Sequence, residues 1–120
     1  MIASDPREVA NRWIDAFNRK DLDQLLSLYD EAAGHYSPKL KARQPETKGY
    51  IKGKKALRQW WQDAFERLPY LHYRLVRLTA EDNRVFMEYV REVKGEEDLY
   101  VGEMLELENG RITSSAVFHR

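Results

Sequence analysis

The chain of 120 residues contains no cysteine. That excludes a disulfide framework, a thiol nucleophile and a thiolate metal site, and it fits a cytoplasmic location. An excess of one charge is missing too. Twenty Lys and Arg balance twenty Asp and Glu, for a formal net charge of zero. Sequence-blind binding to nucleic acid needs a basic surplus, so no nucleic-acid partner is expected. No apolar run approaches the ~20 residues of a membrane span, so no membrane role is expected. The segment Met1 to Arg7 carries charges and has no apolar stretch, so no secretory signal is expected. Internal repeats and low-complexity tracts are absent. So are His-Glu-x-x-His, a phosphate loop and a dinucleotide fingerprint. His35, His72 and His119 lie too far apart to form a metal motif, and neither metal nor cofactor is expected.

What remains is 42% hydrophobic and 33% charged, the balance of one folded domain spanning residues 1–120. Asp5-Pro6 reads as a helix cap followed by proline at the first helical position. Val9, Ala10, Trp13, Ile14 and Phe17 then recur at helical spacing to about Arg19. Asp21 caps a short second helix with Leu22, Leu25, Leu26, Leu28 and Tyr29. Ala32 to Ser37 reads as a strand ended by Pro38. Lys39 to Gly53 is polar, contains Pro45 and Gly49, and reads as a long irregular segment with a brief strand near Tyr50-Ile51. Such segments often serve as lids or binding loops. A third amphipathic helix carries Ala56, Leu57, Trp60, Trp61, Ala64, Phe65 and Leu68, and stops at Pro69. Four strands follow as a meander: Tyr70–Thr79, Val85–Val93, Leu99–Glu108 and Arg111–Phe118. The order predicts an α+β domain with helices on one face of a curved antiparallel sheet.

Asn109-Gly110 is the strongest hairpin signal, and a two-residue loop there pairs Glu108 with Arg111. Strict alternation then places Val101, Glu103, Leu105 and Leu107 opposite Phe118, Ala116, Ser114 and Ile112 on the face toward the helices. Tyr100, Met104 and Val117 fall on the outer face. Glu103 is the most informative residue, because a carboxylate in an apolar row costs several kcal/mol unless paired or protonated. An even loop near Lys94-Gly95 brings Glu88 beside Glu103. An odd loop instead brings in Met87, Tyr89 and Arg91, and Arg91 could neutralise the acid.

These pieces together resemble the nuclear-transport-factor-2-like superfamily, in its SnoaL-like and ketosteroid-isomerase-like branch. The resemblance rests on Arg12-Trp13-Ile14-Asp15-Ala16-Phe17-Asn18, Asp21-Leu22-Asp23, and Leu28-Tyr29 leading to Ser37-Pro38. It continues with Gly53 before Trp60-Trp61, Leu68-Pro69 and the closing Asn109-Gly110-Arg111-Ile112. It implies a cone in which the sheet wraps three helices around an apolar pocket. Of the three polar positions used by ketosteroid isomerases, one falls on Glu103. The other two fall on Trp13 and Ser37, which lack the expected hydroxyl and carboxylate, so steroid isomerisation is not expected. The resemblance turns His35 toward the pocket as a candidate base beside Glu103 as the acid. Trp13, Phe17, Tyr29, Ser37, Trp60, Glu88, Val101, Ala116 and Phe118 are the expected substrate-binding residues. Lys48, Lys52, Lys54 and Lys55 could gather an anionic substrate group at the mouth. A homodimer through the outer sheet face is implied. The expected function is a cofactor-independent isomerase, cyclase or dehydratase acting on an apolar or aromatic carbonyl metabolite. The alternative is a non-catalytic ligand-binding or protein-association module.

Overall fold

Helix α1 (Pro6–Asn18) begins where its sequence predicts, with the Asp5 side chain accepting from the Arg7 amide at 2.9 Å. The structure is a computed structural model that describes residues 5–120, so Met1 to Ser4 of the segment read for a secretory signal lie outside it. Asp21 caps α2 (Leu22–Ser27) in the same manner, through the Gln24 amide. Strand β1 (Tyr29–Tyr36) then leads to α3 (Pro38–Arg43), a single 3-10 turn (Pro45–Thr47), β2 (Tyr50–Lys52) and α4 (Lys54–Arg67). The meander comprises β3 (His72–Glu81), β4 (Arg84–Glu92), β5 (Leu99–Glu108) and β6 (Arg111–His119). At the β5–β6 turn Asn109 and Gly110 both adopt positive φ, as a mirror-image type I turn requires.

The expectation of an irregular segment from Lys39 to Gly53 is corrected. Pro38 starts a helix rather than merely ending a strand, because Ser37 caps it by accepting from the Lys39 amide at 3.2 Å. Among the described residues the N-terminal half therefore holds four α-helices, not three. The sheet order is β2-β1-β6-β5-β4-β3. It is mixed rather than wholly antiparallel, since β1 pairs with β6 in parallel. The long crossover from α3 through β5 is what makes that parallel pair possible.

Two registers decide which side chains face the helices. An odd number of residues separates Arg91 from its partner Leu99, which selects Met87, Tyr89 and Arg91 for the inner face. Glu88 therefore points outward, where Tyr100 donates to it at 2.8 Å and Arg77 lies 3.8 Å away. The second register departs from strict alternation. Leu107 pairs with Ile112 but Glu106 pairs with Ser114, so Thr113 is an extra residue in a β-bulge. Beyond it every β6 side chain changes face. Val117 and Ser115 point inward opposite Glu103 and Leu105, while Ala116 and Phe118 point outward. Ala116 is half-buried there and Phe118 is 52% exposed.

Candidate functional site

The curved sheet and α1, α3 and α4 enclose a cavity of about 280 Å³. Its deep end is lined by buried side chains, among them Trp13, His35, Tyr89 and Glu103, and its rim by Lys39, Arg43, Arg67, Glu96 and His119. Stacked rings form one wall. Trp13 and Phe17, one turn apart on α1, stack at 5.1 Å between ring centroids. Phe17 stacks on Tyr73 at 4.0 Å, and Tyr73 on Tyr89 at 4.1 Å. Tyr73 is held in place by Asn18 at the end of α1. The Asn18 amide donates to the Tyr73 carbonyl and accepts from its N–H, both at 2.8 Å. One side chain thus stands in for a sheet neighbour and ties the wall to the helix.

Glu103 sits in this wall at 1% exposure. Tyr89 donates to its Oε1 at 2.7 Å, while Oε2 is buried without any partner among the described residues. Arg91 does not neutralise it. Its guanidinium instead donates to Glu96 at 3.0 Å. Burial lifts the Glu103 carboxyl to about 7, against the smaller opposing pull of the Tyr89 hydrogen bond. Burial and then the neighbouring Glu103 charge push the Tyr89 hydroxyl well above its ordinary value, so it stays a donor.

A buried relay links α1, β1 and β6. The Trp13 indole N–H donates to the Tyr29 hydroxyl at 3.0 Å, and Tyr29 donates to Ser115 Oγ at 3.1 Å. Ser115 Oγ lies 2.6 Å from His35 Nδ1. Satisfaction fixes the direction. The indole can only donate, and the fully buried Tyr29 proton has Ser115 Oγ as its acceptor. The Ser115 proton then goes to His35 Nδ1. This assignment leaves the His35 proton on Nε2, as a donor on the cavity side. Burial lowers His35 to about 4, so the ring is neutral near pH 7.

The expected site residues are distributed as follows. Glu103, His35, Trp13, Phe17, Ser37, Trp60 and Val101 all line the cavity. Tyr29 lies behind the lining, its hydroxyl in the relay. Glu88, Ala116 and Phe118 are corrected to the outer face, for the register reasons given above. Trp60 and Trp61 both reach the cavity, and Trp61 tilts against His35 at 5.2 Å. Ser115, Tyr73 and Tyr89 complete the site. Tyr89 was signalled by the odd-loop register. Ser115 was hidden by the bulge. The four lysines around Gly53 do not reach this mouth. Lys54 and Lys55 line a separate shallow depression with Asp23 and Arg58. Among the described residues, no group of three or more His, Asp or Glu is placed to hold a metal ion, and no helix is long and apolar enough to cross a membrane.

A curved, unclosed sheet around N-terminal helices, with a buried acid in its cavity wall, is the nuclear-transport-factor-2-like cone fold. Residues 10–115 match the SnoaL-like domain, and the chain belongs to that family. A SnoaL-like protein of unknown function from Burkholderia thailandensis superposes with a TM-score of 0.85 at 24% identity, covering 96% of this chain and 94% of that one. A proposed ketosteroid isomerase from Kribbella flavida gives 0.79 at 19%, covering 96% and 77%. A proposed polyketide cyclase from Sinorhizobium meliloti gives 0.79 at 14%, covering 92% and 94%. At these identities the likeness is one of fold. No curated protein matches the chain.

Proposed function

We propose that the chain binds a small apolar carbonyl compound in this cavity and moves a proton on it without a cofactor, as an isomerase, cyclase or dehydratase does. The observation that carries this reading is the unpartnered, buried Oε2 of Glu103 in the cavity wall. A carboxyl group near pH 7 in both its forms is suited to general acid–base work, which depends on a proton that is easily taken and returned. His35 supports the reading in a role other than the base expected from sequence. Neutral, and protonated on Nε2, it donates to the substrate carbonyl. Glu103 as carboxylate removes the proton from the adjacent carbon. The C–H pair moves into a C–C double bond and the carbonyl oxygen takes up negative charge, which the His35 donor stabilises. Glu103 then returns the proton to another carbon, and the net change is an isomerisation. A cavity of about 280 Å³ is at the lower limit of ligand pockets, which suits one or two rings rather than a steroid.

The test is hydrogen–deuterium exchange next to the carbonyl of small cyclic ketones and enones in heavy water, with carboxyl-carbon NMR titration of Glu103. Exchange catalysed by the wild type and abolished in Glu103→Gln supports the reading. Ligands that bind without exchange would favour a non-catalytic binding module. Ser37 favours that second reading, because its hydroxyl caps α3 where a carboxylate base would stand in a ketosteroid isomerase. We also propose a cytoplasmic homodimer joined through the outer sheet face. Phe86 and Phe118 stand 6.5 Å apart there, and Phe118 is 52% exposed. Light scattering of Phe118→Asp, expected to be monomeric, checks this.

A further inference from the structure

The cavity has two ends of different chemistry, and the proposed reading uses only the deep one. At the mouth, Arg91 projects from β4 with a side chain only 9% exposed, and Glu96 from the β4–β5 loop pairs with it at 3.0 Å. Lys39 lines the same mouth from α3 and forms no ion pair among the described residues. Its ammonium is held below its ordinary value by burial and by Arg91, with Glu96 opposing. His119 is likewise lowered by burial, then by Lys39 and Arg91. Arg91, Lys39 and His119 all line this one opening. The other two cations at the rim are already engaged: Arg67 and Arg43 share Asp63, at 2.8 and 3.7 Å. One carboxylate, 51% exposed on a surface loop, thus answers two partly buried cations at the opening of an aromatic cavity.

We infer that this mouth is a carboxylate-binding site and that the cavity's ligand is an amphipathic acid. Its aromatic or alicyclic body lies between Trp13, Tyr73 and Trp60, and its anionic end lies on Arg91 and Lys39. The inference rests on the proposed cavity reading and names the substrate class for it. Glu96 shows that a carboxylate fits Arg91. Because Glu96 belongs to a loop, a ligand carboxylate can take its place at the guanidinium. The fork of Arg91 suits a planar carboxylate, and Lys39 adds a point charge. A charged group at the mouth also stays partly hydrated, whereas at the deep end it would face a second carboxyl in dry surroundings.

The experiment is calorimetric titration with naphthoate and with its uncharged amide, at low and high salt. The amide reports the cavity alone, and the acid-to-amide affinity ratio reports the mouth. For the wild type the acid is expected to bind about tenfold or more tighter than the amide, with the advantage shrinking in high salt. Arg91→Met should remove that advantage. Arg91 is buried, so variants of the less buried Lys39 and Glu96 guard against a folding defect. Lys39→Gln should lower the ratio severalfold. Glu96→Gln should raise it severalfold, by freeing Arg91 and removing a competing negative charge. Equal affinity for acid and amide, or a ratio that Glu96→Gln leaves unchanged or lowers, overturns the inference and leaves the cavity reading standing. If neither compound binds, the cavity reading fails and takes this inference with it.

Discussion

The two ends of the cavity treat charge in opposite ways. At the deep end Glu103 is 1% exposed, has no ion-pair partner among the described residues and keeps its proton to about neutral pH. At the mouth Arg91 and Glu96 pair at 3.0 Å, and Lys39 lines the same opening. The deep end holds one acid and one histidine, each held by a hydroxyl hydrogen bond. The mouth holds ion pairs whose individual worth is small in water. Desolvation thus sorts reactivity to the inside and selection to the rim. A ligand that spans both ends can be oriented by the rim while its reacting atoms remain dry.

Substitution at Glu103 should break this contrast most strongly. In any proton transfer the cavity carries out, Glu103→Gln should lower turnover by about 100- to 10,000-fold while leaving ligand affinity nearly intact, as steady-state and binding measurements together would show. The same variant changes the pH dependence of stability. Glu103 is raised from 4.5 to about 7, so in that window the native state holds a proton that the unfolded chain has released. Its contribution is full at acid pH and is lost as pH rises through the window. His35, lowered from 6.5 to about 4, works in the opposite sense, and its contribution is lost as pH falls. The two slopes oppose each other in the wild type. Glu103→Gln should therefore gain on the order of 3 kcal/mol at mildly alkaline pH, and its stability should fall on acidification, as urea titrations across pH would show.

A smaller effect separates the faces of β6. Ser115→Ala should cost about 1–3 kcal/mol, since it strands the buried Tyr29 hydroxyl, whereas Ser114→Ala should stay within about 0.5 kcal/mol. Thermal melts of the pair would reverse that order if β6 followed strict alternation. Smallest is Tyr89→Phe. It removes the Tyr89 hydrogen bond to the Glu103 carboxyl, so an NMR titration should find that carboxyl shifted further upward.

Glu103 was legible because it interrupts an apolar row beside a hairpin whose turn is unambiguous. Helix α1 was legible because its cap, its proline and its apolar spacing agree. The bulge was not, because Thr113, Ser114 and Ser115 offer no apolar contrast to mark a slip of one residue. Strict alternation therefore placed Ala116 and Phe118 in the cavity and Ser115 outside it. Ser37-Pro38 repeats the cap logic of Asp5-Pro6, but Leu40 alone is buried in the short helix that follows, so no period could announce it. The parallel β1–β6 pair is a contact between distant segments, which local patterns do not encode. The relay from Trp13 to His35 draws on α1, β1 and β6, so it was invisible until those elements were brought together.

The bulge at Thr113 also shapes how this cavity can change over time. Substitutions alter one position of β6 at a time. Loss of a single residue at the bulge would instead exchange the two sides of the strand from Ser114 to the C-terminus. Phe118 and Ala116 would enter the cavity, and Ser115 and Val117 would leave it for the surface. The relay would lose its link to His35 in the same event, and the exposed face would lose one of its two phenylalanines. The inner lining and the outer surface of this strand are therefore inherited together, as alternative reading frames of one short segment.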